Sequence, residues 1–211
     1  QMEVGSALLG HDVNVKAKND LNARAATIVA DGGNVLMRAG GNVDIESGEN
    51  SMTNSTGYEK ESLTTTLMST VGCYIPTVSV ARSESGLRSL TQNNSQIRAT
   101  DGTVTIESGK DTTIAGANVN AKDVDLNVGG DLLVASKQDR MESHSSNYSL
   151  TLGQTTGFSI GESKASENWT NSQTTIEGTN SVSVDAKKLT MTGSEIANVK
   201  SDGTDGGNLN V

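Results

Sequence analysis

Aromatic side chains are almost missing from this sequence, at 2% of its 211 residues, and hydrophobic residues of all kinds reach only 33%. Large rings carry much of the transfer energy of an ordinary globular core. Any core here must therefore be thin and built from Val, Ile, Leu and Ala. Cysteine occurs once, at Cys73, which excludes an intramolecular disulfide and reads as a small buried apolar residue. Proline also occurs once, at Pro76. No apolar run approaches the ~18 residues of a membrane-spanning helix. Residues 1–10 lack the basic start and apolar stretch of a signal peptide, so the chain reads as an internal piece of something longer. The net charge of −9 argues against nucleic acid as a partner, because phosphates need a basic face. Low hydrophobicity with net charge leans towards disorder; periodicity argues the other way.

What is present is repetition. Asp12–Ile28, Gly102–Val119 and Asn180–Ile196 share a V-x-[VI] pair, then a short alternating stretch, then a third apolar residue. A second match links GGNVDIESGEN from Gly40, GGDLLVASKQD from Gly129 and GGNLNV from Gly206. The Gly-Gly-Asx doublets read as turns that supply positive φ. The alternation after each is strand-like. Together these give a rung of three short strands and roughly 20 residues, repeated about five to six times. The first strand carries Val13, Val35, Val104, Val124 and Val182; the second carries Leu21, Val43, Thr112, Leu132, Leu189 and Leu209; the third carries Ile28, Val119 and Ile196. No such strand buries its apolar face alone, so the rungs must stack. The expected fold is all-β: a right-handed parallel β-helix, or β-solenoid, with rungs ~4.8 Å apart.

The period breaks twice, both times at the third strand and on alternate rungs. The chain is expected to leave after Val43–Ser47 and return near Ile97, then to leave after Leu132–Ser136 and return near Ile176. One solenoid domain over 1–211 would thus carry two long extrahelical β-hairpin insertions, at about 51–96 and 140–175. Alternation in TTTLMSTV, YIPTVSVA and NYSLTLGQTTGFSIG suggests antiparallel hairpins. All five aromatic residues fall there: Tyr58, Tyr74, Tyr148, Phe158 and Trp169. These five form the candidate interaction surface. They read either as rings packed beneath their own hairpins or as contacts for glycan, lipid or protein. The charges of the insertions nearly cancel, which leaves the rungs acidic.

The strings GGNVLMRAGGNVDIESGEN and TVTIESGKDTTIAGANVNAKDVDLNVGGDLLVASKQD resemble the haemagglutinin-type repeats of two-partner-secretion exoproteins. That group includes filamentous haemagglutinins, large haemolysins and contact-dependent growth-inhibition effectors. Ser136, Gln138 and Asp139 match the group's S-x-Q-[DN] segment, while Ser47, Glu49 and Asn50 match it less well. The resemblance implies a Gram-negative source, export through an outer-membrane secretion partner and display on the cell surface or secretion as a filament. It implies adhesion or contact-dependent toxin delivery, with a target-cell receptor, glycan or outer membrane as the opposite partner.

Several patterns with chemical meaning weaken on inspection. Gly157-Phe158-Ser159-Ile160-Gly161 matches a nucleophile elbow, but that motif needs a strand–turn–helix and a later histidine. The two histidines, His11 and His144, both precede it; the glycines read as hairpin bends. Asp123, Asp125 and Asn127 begin like a calcium loop, but Val128 and Val134 stand where Gly and Glu are needed, so the three read as an exposed polar strip. No His/Cys cluster has metal spacing, and no cofactor is expected. Asn54, Asn93, Asn147 and Asn168 each open an N-x-[ST] sequon. The leading expectation is a non-catalytic repeat segment of an exported filament. The alternatives are a polysaccharide-processing β-helix enzyme, which needs converging carboxylates, and hairpins that engage an outer membrane.

Overall fold

The computed structural model describes residues 1–68, 73–153, 156–200 and 202–211, with the side chains of 66–75 outside that description. Every regular element among them is a β-strand. The chain divides into two compact units. The first comprises Gln1–Asn50, Thr91–Asp139 and Trp169–Val211, and the second comprises Ser51–Leu90 and Arg140–Asn168.

The first unit is a stack of parallel strands, numbered here along the chain, that fall into three series. One series runs through β2 (Val13–Ala17), β5 (Val35–Ala39), β10 (Thr103–Ser108), the second half of β12 (Ala117–Val128), the second half of β16 (Thr175–Asp185) and β19 (Leu209–Asn210). A second runs through β3 (Leu21–Arg24), β6 (Val43–Glu46), β11 (Thr112–Ala115), β13 (Asp131–Ala135) and β17 (Lys188–Thr192). The third runs through β1 (Ala7–Gly10), β4 (Thr27–Ala30), β9 (Ser95–Ala99), the first halves of β12 and β16, and β18 (Glu195–Asn198). This is a solenoid arrangement. The register places Val13, Val35, Val104, Val124 and Val182 in one column. Leu21, Val43, Thr112, Leu132 and Leu189 form another. Leu209 pairs with Val182 and so belongs to the first series, not the second; its six-residue string was too short to separate the two. Alternation puts every second side chain inwards, and Val35, Met37, Val43, Ile45, Ile106 and Ile114 are fully buried. Burying each such aliphatic side chain contributes about 1.5–3 kcal/mol.

One backbone dihedral decides where the chain turns and where it departs. Arg24, Glu46, Ala115, Ala135 and Thr192 share a register position at the end of the second series. After three of them comes a residue in the left-handed region: Ala25 (φ 48°), Gly116 (φ 71°) and Gly193 (φ 59°). There the chain swings directly into the third series. After the other two come Ser47 and Ser136, neither with positive φ, and the chain runs on into the second unit.

Re-entry uses a hydroxyl. Ser95 and Thr174 are both completely buried. The Ser95 hydroxyl donates to Glu46 O (2.6 Å) and accepts from Ala26 N–H (2.9 Å). Thr174 repeats the pattern, donating to Ala135 O (2.7 Å) and accepting from Gly116 N–H (2.9 Å). Each hydroxyl adds a bond to a carbonyl that already accepts a backbone N–H, Ala25 to Glu46 O (3.1 Å) and Gly116 to Ala135 O (3.0 Å), and gives the following N–H, of Ala26 or Ala117, an acceptor.

The glycine doublets serve a different purpose from the expected one. Of Gly40, Gly41, Gly129, Gly130, Gly206 and Gly207, only Gly207 has positive φ. A Cβ on Gly41 would lie 2.2 Å from Asp20 Oδ1, and one on Gly130 2.1 Å from Asp111 Oδ1. Those carboxylates accept backbone N–H bonds from the next turn up, Asn42 to Asp20 (2.8 Å) and Asp131 to Asp111 (2.9 Å). The glycine gives space to an Asx ladder that ties successive turns together.

The second unit is one four-stranded sheet in the order β15-β14-β8-β7, formed by β7 (Gly48–Met68), β8 (Cys73–Asn93), β14 (Asp139–Leu152) and β15 (Gly157–Trp169). Its central pair, β8 with β14, is antiparallel and in register from Leu90↔Arg140 to Val78↔Leu152. Two segments far apart in sequence therefore share one sheet, which repetition within each segment did not reveal.

Candidate interaction surface

Because β8 and β14 pair without a bulge, directly opposed side chains share a face of the sheet. One face carries Ser79, Ser83, Ser85 and Ser89 opposite Thr151, Asn147, Ser145 and Met141. Hydroxyl contacts extend it to the outer strands: Thr56 Oγ1 to Ser85 Oγ (2.8 Å) on β7, and Ser149 Oγ to Ser159 Oγ (2.8 Å) on β15. This is a hydroxyl face. The opposite face is divided along its length. Towards one end lie Val78, Val80, Tyr148, Leu150 and Leu152; towards the other lie Arg88, Arg140, Glu142 and His144.

The sheet has no packed side: among its described residues, none in 51–90 or 140–168 is buried. The aromatics divide accordingly. Tyr148 and Phe158 meet edge to face, with centroids 5.6 Å apart and planes at 77°, yet Phe158 remains 63% exposed and the nearby Ile160 68%. Tyr58 is exposed on β7, two residues from Thr56 and so on the hydroxyl face. Trp169 ends β15 and falls in the first unit. The side chains of Tyr74 and Cys73 lie outside the described residues. Ile160 was not singled out from the sequence; its alternation with Phe158 was the available signal.

Three ion pairs on the sheet lie along their own strands. Arg82 pairs with Glu84 (2.8 Å), Arg140 with Glu142, and Lys164 with Glu162 (2.7 Å). The Lys164 hydrogen bond holds the Glu162 carboxyl below its ordinary range. A shallow depression of about 520 Å³ crosses the strands, lined by Asn54, Gly86, His144 and Lys164 among others. Gly86 leaves it open, since a Cβ there would meet nothing nearer than Asn54 O at 3.8 Å.

The G-x-S-x-G string lies within the strand β15, where the Ser159 hydroxyl bonds that of Ser149 (2.8 Å). Its glycines are not bends, contrary to the sequence expectation. Gly157 opens the strand, and Gly161 makes room for Asn147, whose Oδ1 would sit 2.2 Å from an added Cβ. Asp123 joins neighbouring turns, accepting from Ser181 Oγ (2.5 Å) and Asn180 Nδ2 (2.6 Å). These bonds, that of Ser181 foremost, hold its carboxyl below the ordinary range. Among the described residues no group of three His, Cys, Asp or Glu could hold a metal ion. The four sequon asparagines, Asn54, Asn93, Asn147 and Asn168, are all exposed.

A parallel-stranded solenoid of short repeats, accompanied by a four-stranded sheet, defines the class: a structural repeat protein. The Hemagglutinin repeat family matches residues 1–150, and the chain belongs to it. No curated protein and no solved structure matches the chain. Membership implies a structural repeat of a large secreted or cell-surface protein, in a family that is typically non-enzymatic. Among the described residues no helix is long and apolar enough to cross a membrane.

Proposed function

We propose that this chain is a non-catalytic segment of a large exported bacterial surface filament, and that its exposed sheet contacts a target cell during adhesion or toxin delivery. The observation that carries the reading is the uncovered apolar end of the sheet, where Tyr148, Phe158 and Ile160 stay accessible instead of closing over one another. Apolar and aromatic groups left in water at one place are a contact surface by default. Three of the sheet's carboxylates, Glu84, Glu142 and Glu162, are each paired with a basic neighbour on the same strand, which supports a binding role over the converging carboxylates that polysaccharide hydrolysis requires. In this reading the two segments of the sheet are hairpin insertions on a right-handed β-helix, and the full-length protein leaves a Gram-negative cell through an outer-membrane partner.

The test is binding of the purified protein to intact target cells, to isolated outer-membrane vesicles and to a glycan panel. Phe158→Ser with Ile160→Ser should reduce binding by about tenfold or more while the far-ultraviolet spectrum stays unchanged. Unaltered binding by this double variant sinks the reading. Turnover of any polysaccharide would replace it with the enzymatic one.

A further inference from the structure

The depression on the second unit takes residues from every strand of the sheet: Ser55 from β7, Gly86 from β8, His144 from β14 and Lys164 from β15. Its volume of about 520 Å³ falls within the range of about 300–1,000 Å³ usual for ligand sites. Its floor is a glycine that nothing in the fold requires. Gly86 lies inside β8 and outside the left-handed region, and a Cβ there would meet nothing nearer than Asn54 O at 3.8 Å. Gly57 on β7 is the same, with only Glu84 Cγ near, at 4.0 Å. Gly41, Gly130 and Gly161 differ, because a neighbouring side chain already stands at 2.2, 2.1 and 2.2 Å from the place of the Cβ. Glycine inside a strand weakens it and marks a place of close approach. No described part of the chain approaches Gly86, so the space it leaves is room for a ligand.

The charge around that floor is uneven. His144 stands directly opposite Gly86, and Glu142 directly opposite Arg88. Glu142 is bonded by Arg140, and Lys164 by Glu162. Arg88 is left exposed, with no ion pair among the described residues. In a chain of net charge −9 this is a local positive spot. A guanidinium presents a planar fork that matches a carboxylate. Around it Thr53, Ser55 and Ser166 hold exposed hydroxyls, which both donate and accept, as sugar hydroxyls do.

We propose that the depression is a binding site for an acidic saccharide. Arg88 takes the sugar carboxylate with His144 and Lys164 beside it, the serine and threonine hydroxyls meet those of the ring, and Gly86 is the floor. An acidic peptide matches the charge but has no counterpart for the cluster of hydroxyls. The site lies towards the charged end of the face and does not rest on the contact assigned to Phe158 and Ile160.

The test is binding of the purified protein to hyaluronate, oligogalacturonate and oligosialate, each beside its methyl-esterified form, with poly-glutamate as the acidic peptide. At least one acidic saccharide should bind, and esterification, Arg88→Gln and Gly86→Val should each weaken binding by about tenfold or more. Gly86→Val fills the depression without a clash and favours the strand, so it should melt no lower than the parent. Lys60→Gln removes the same charge from β7 outside the depression and should leave binding as it is. Three results overturn the proposal: no acidic saccharide bound, poly-glutamate bound as tightly as any of them, or Arg88→Gln and Gly86→Val both binding like the parent.

Discussion

Gly116 sits where two demands meet. Its φ of 71° is open to glycine at no cost, and a Cβ there would lie 2.6 Å from the Ser47 Cβ. Gly116→Ala should therefore destabilise the protein by about 2–4 kcal/mol, combining left-handed strain with overpacking; chemical denaturation will measure it. Thr174→Val keeps the shape and removes the hydroxyl, so Ala117 N–H loses its bond to Thr174 (3.3 Å) while Gly116 N–H keeps its bond to Ala135 O (3.0 Å). The expected loss is about 1–3 kcal/mol, and Thr174→Ser should recover most of it. Neither residue was legible in the sequence. A serine or threonine two places before an isoleucine is unremarkable in a chain this rich in both. The glycine doublets were legible as glycine but misread in purpose, because a clash with the carboxylate of another turn leaves no local trace. The inward valines, by contrast, announced themselves, since alternation at period two has one physical cause in a half-buried strand.

At the scale of the element, Asp123 links β12 to β16 through Ser181 and Asn180. Its carboxyl titrates below the ordinary value of 3.8 in the folded protein. The stability it adds is present above that value and is lost as the pH falls through the lower folded one. The difference in unfolding free energy between the parent and Asp123→Ala should thus be constant from neutral pH to about pH 5, then shrink in stronger acid. An undiminished difference at low pH contradicts the assignment. The solenoid strands were readable because each repeats a neighbour's pattern in register. The β8–β14 pairing was not. Its strands offer runs of Ser with scattered charge, and without a buried face no hydrophobic pattern fixes one register over another. The aromatics were visible as a group, yet among the described side chains only Tyr148 and Phe158 form a ring contact.

At the scale of the whole molecule, the two departures are removable. Ala117, Ser95 and Ala26 share one register position, and Ala115 shares another with Glu46. Replacing residues 47–94 with a single glycine therefore rebuilds the corner Ala115-Gly116-Ala117 in another turn, and the same exchange over 136–173 treats the second departure. The doubly shortened protein should keep a cooperative β-type unfolding transition and lose cell binding. Failure to fold would mean that the sheet is needed to build the stack.

The residues that close each departure also free it from any constraint on length. β9 and β16 re-enter at equivalent register positions, although the segments that precede them differ in length by ten residues or so. Segments of different length can therefore stand between the departing serine and the returning hydroxyl without shifting the frame of a later turn.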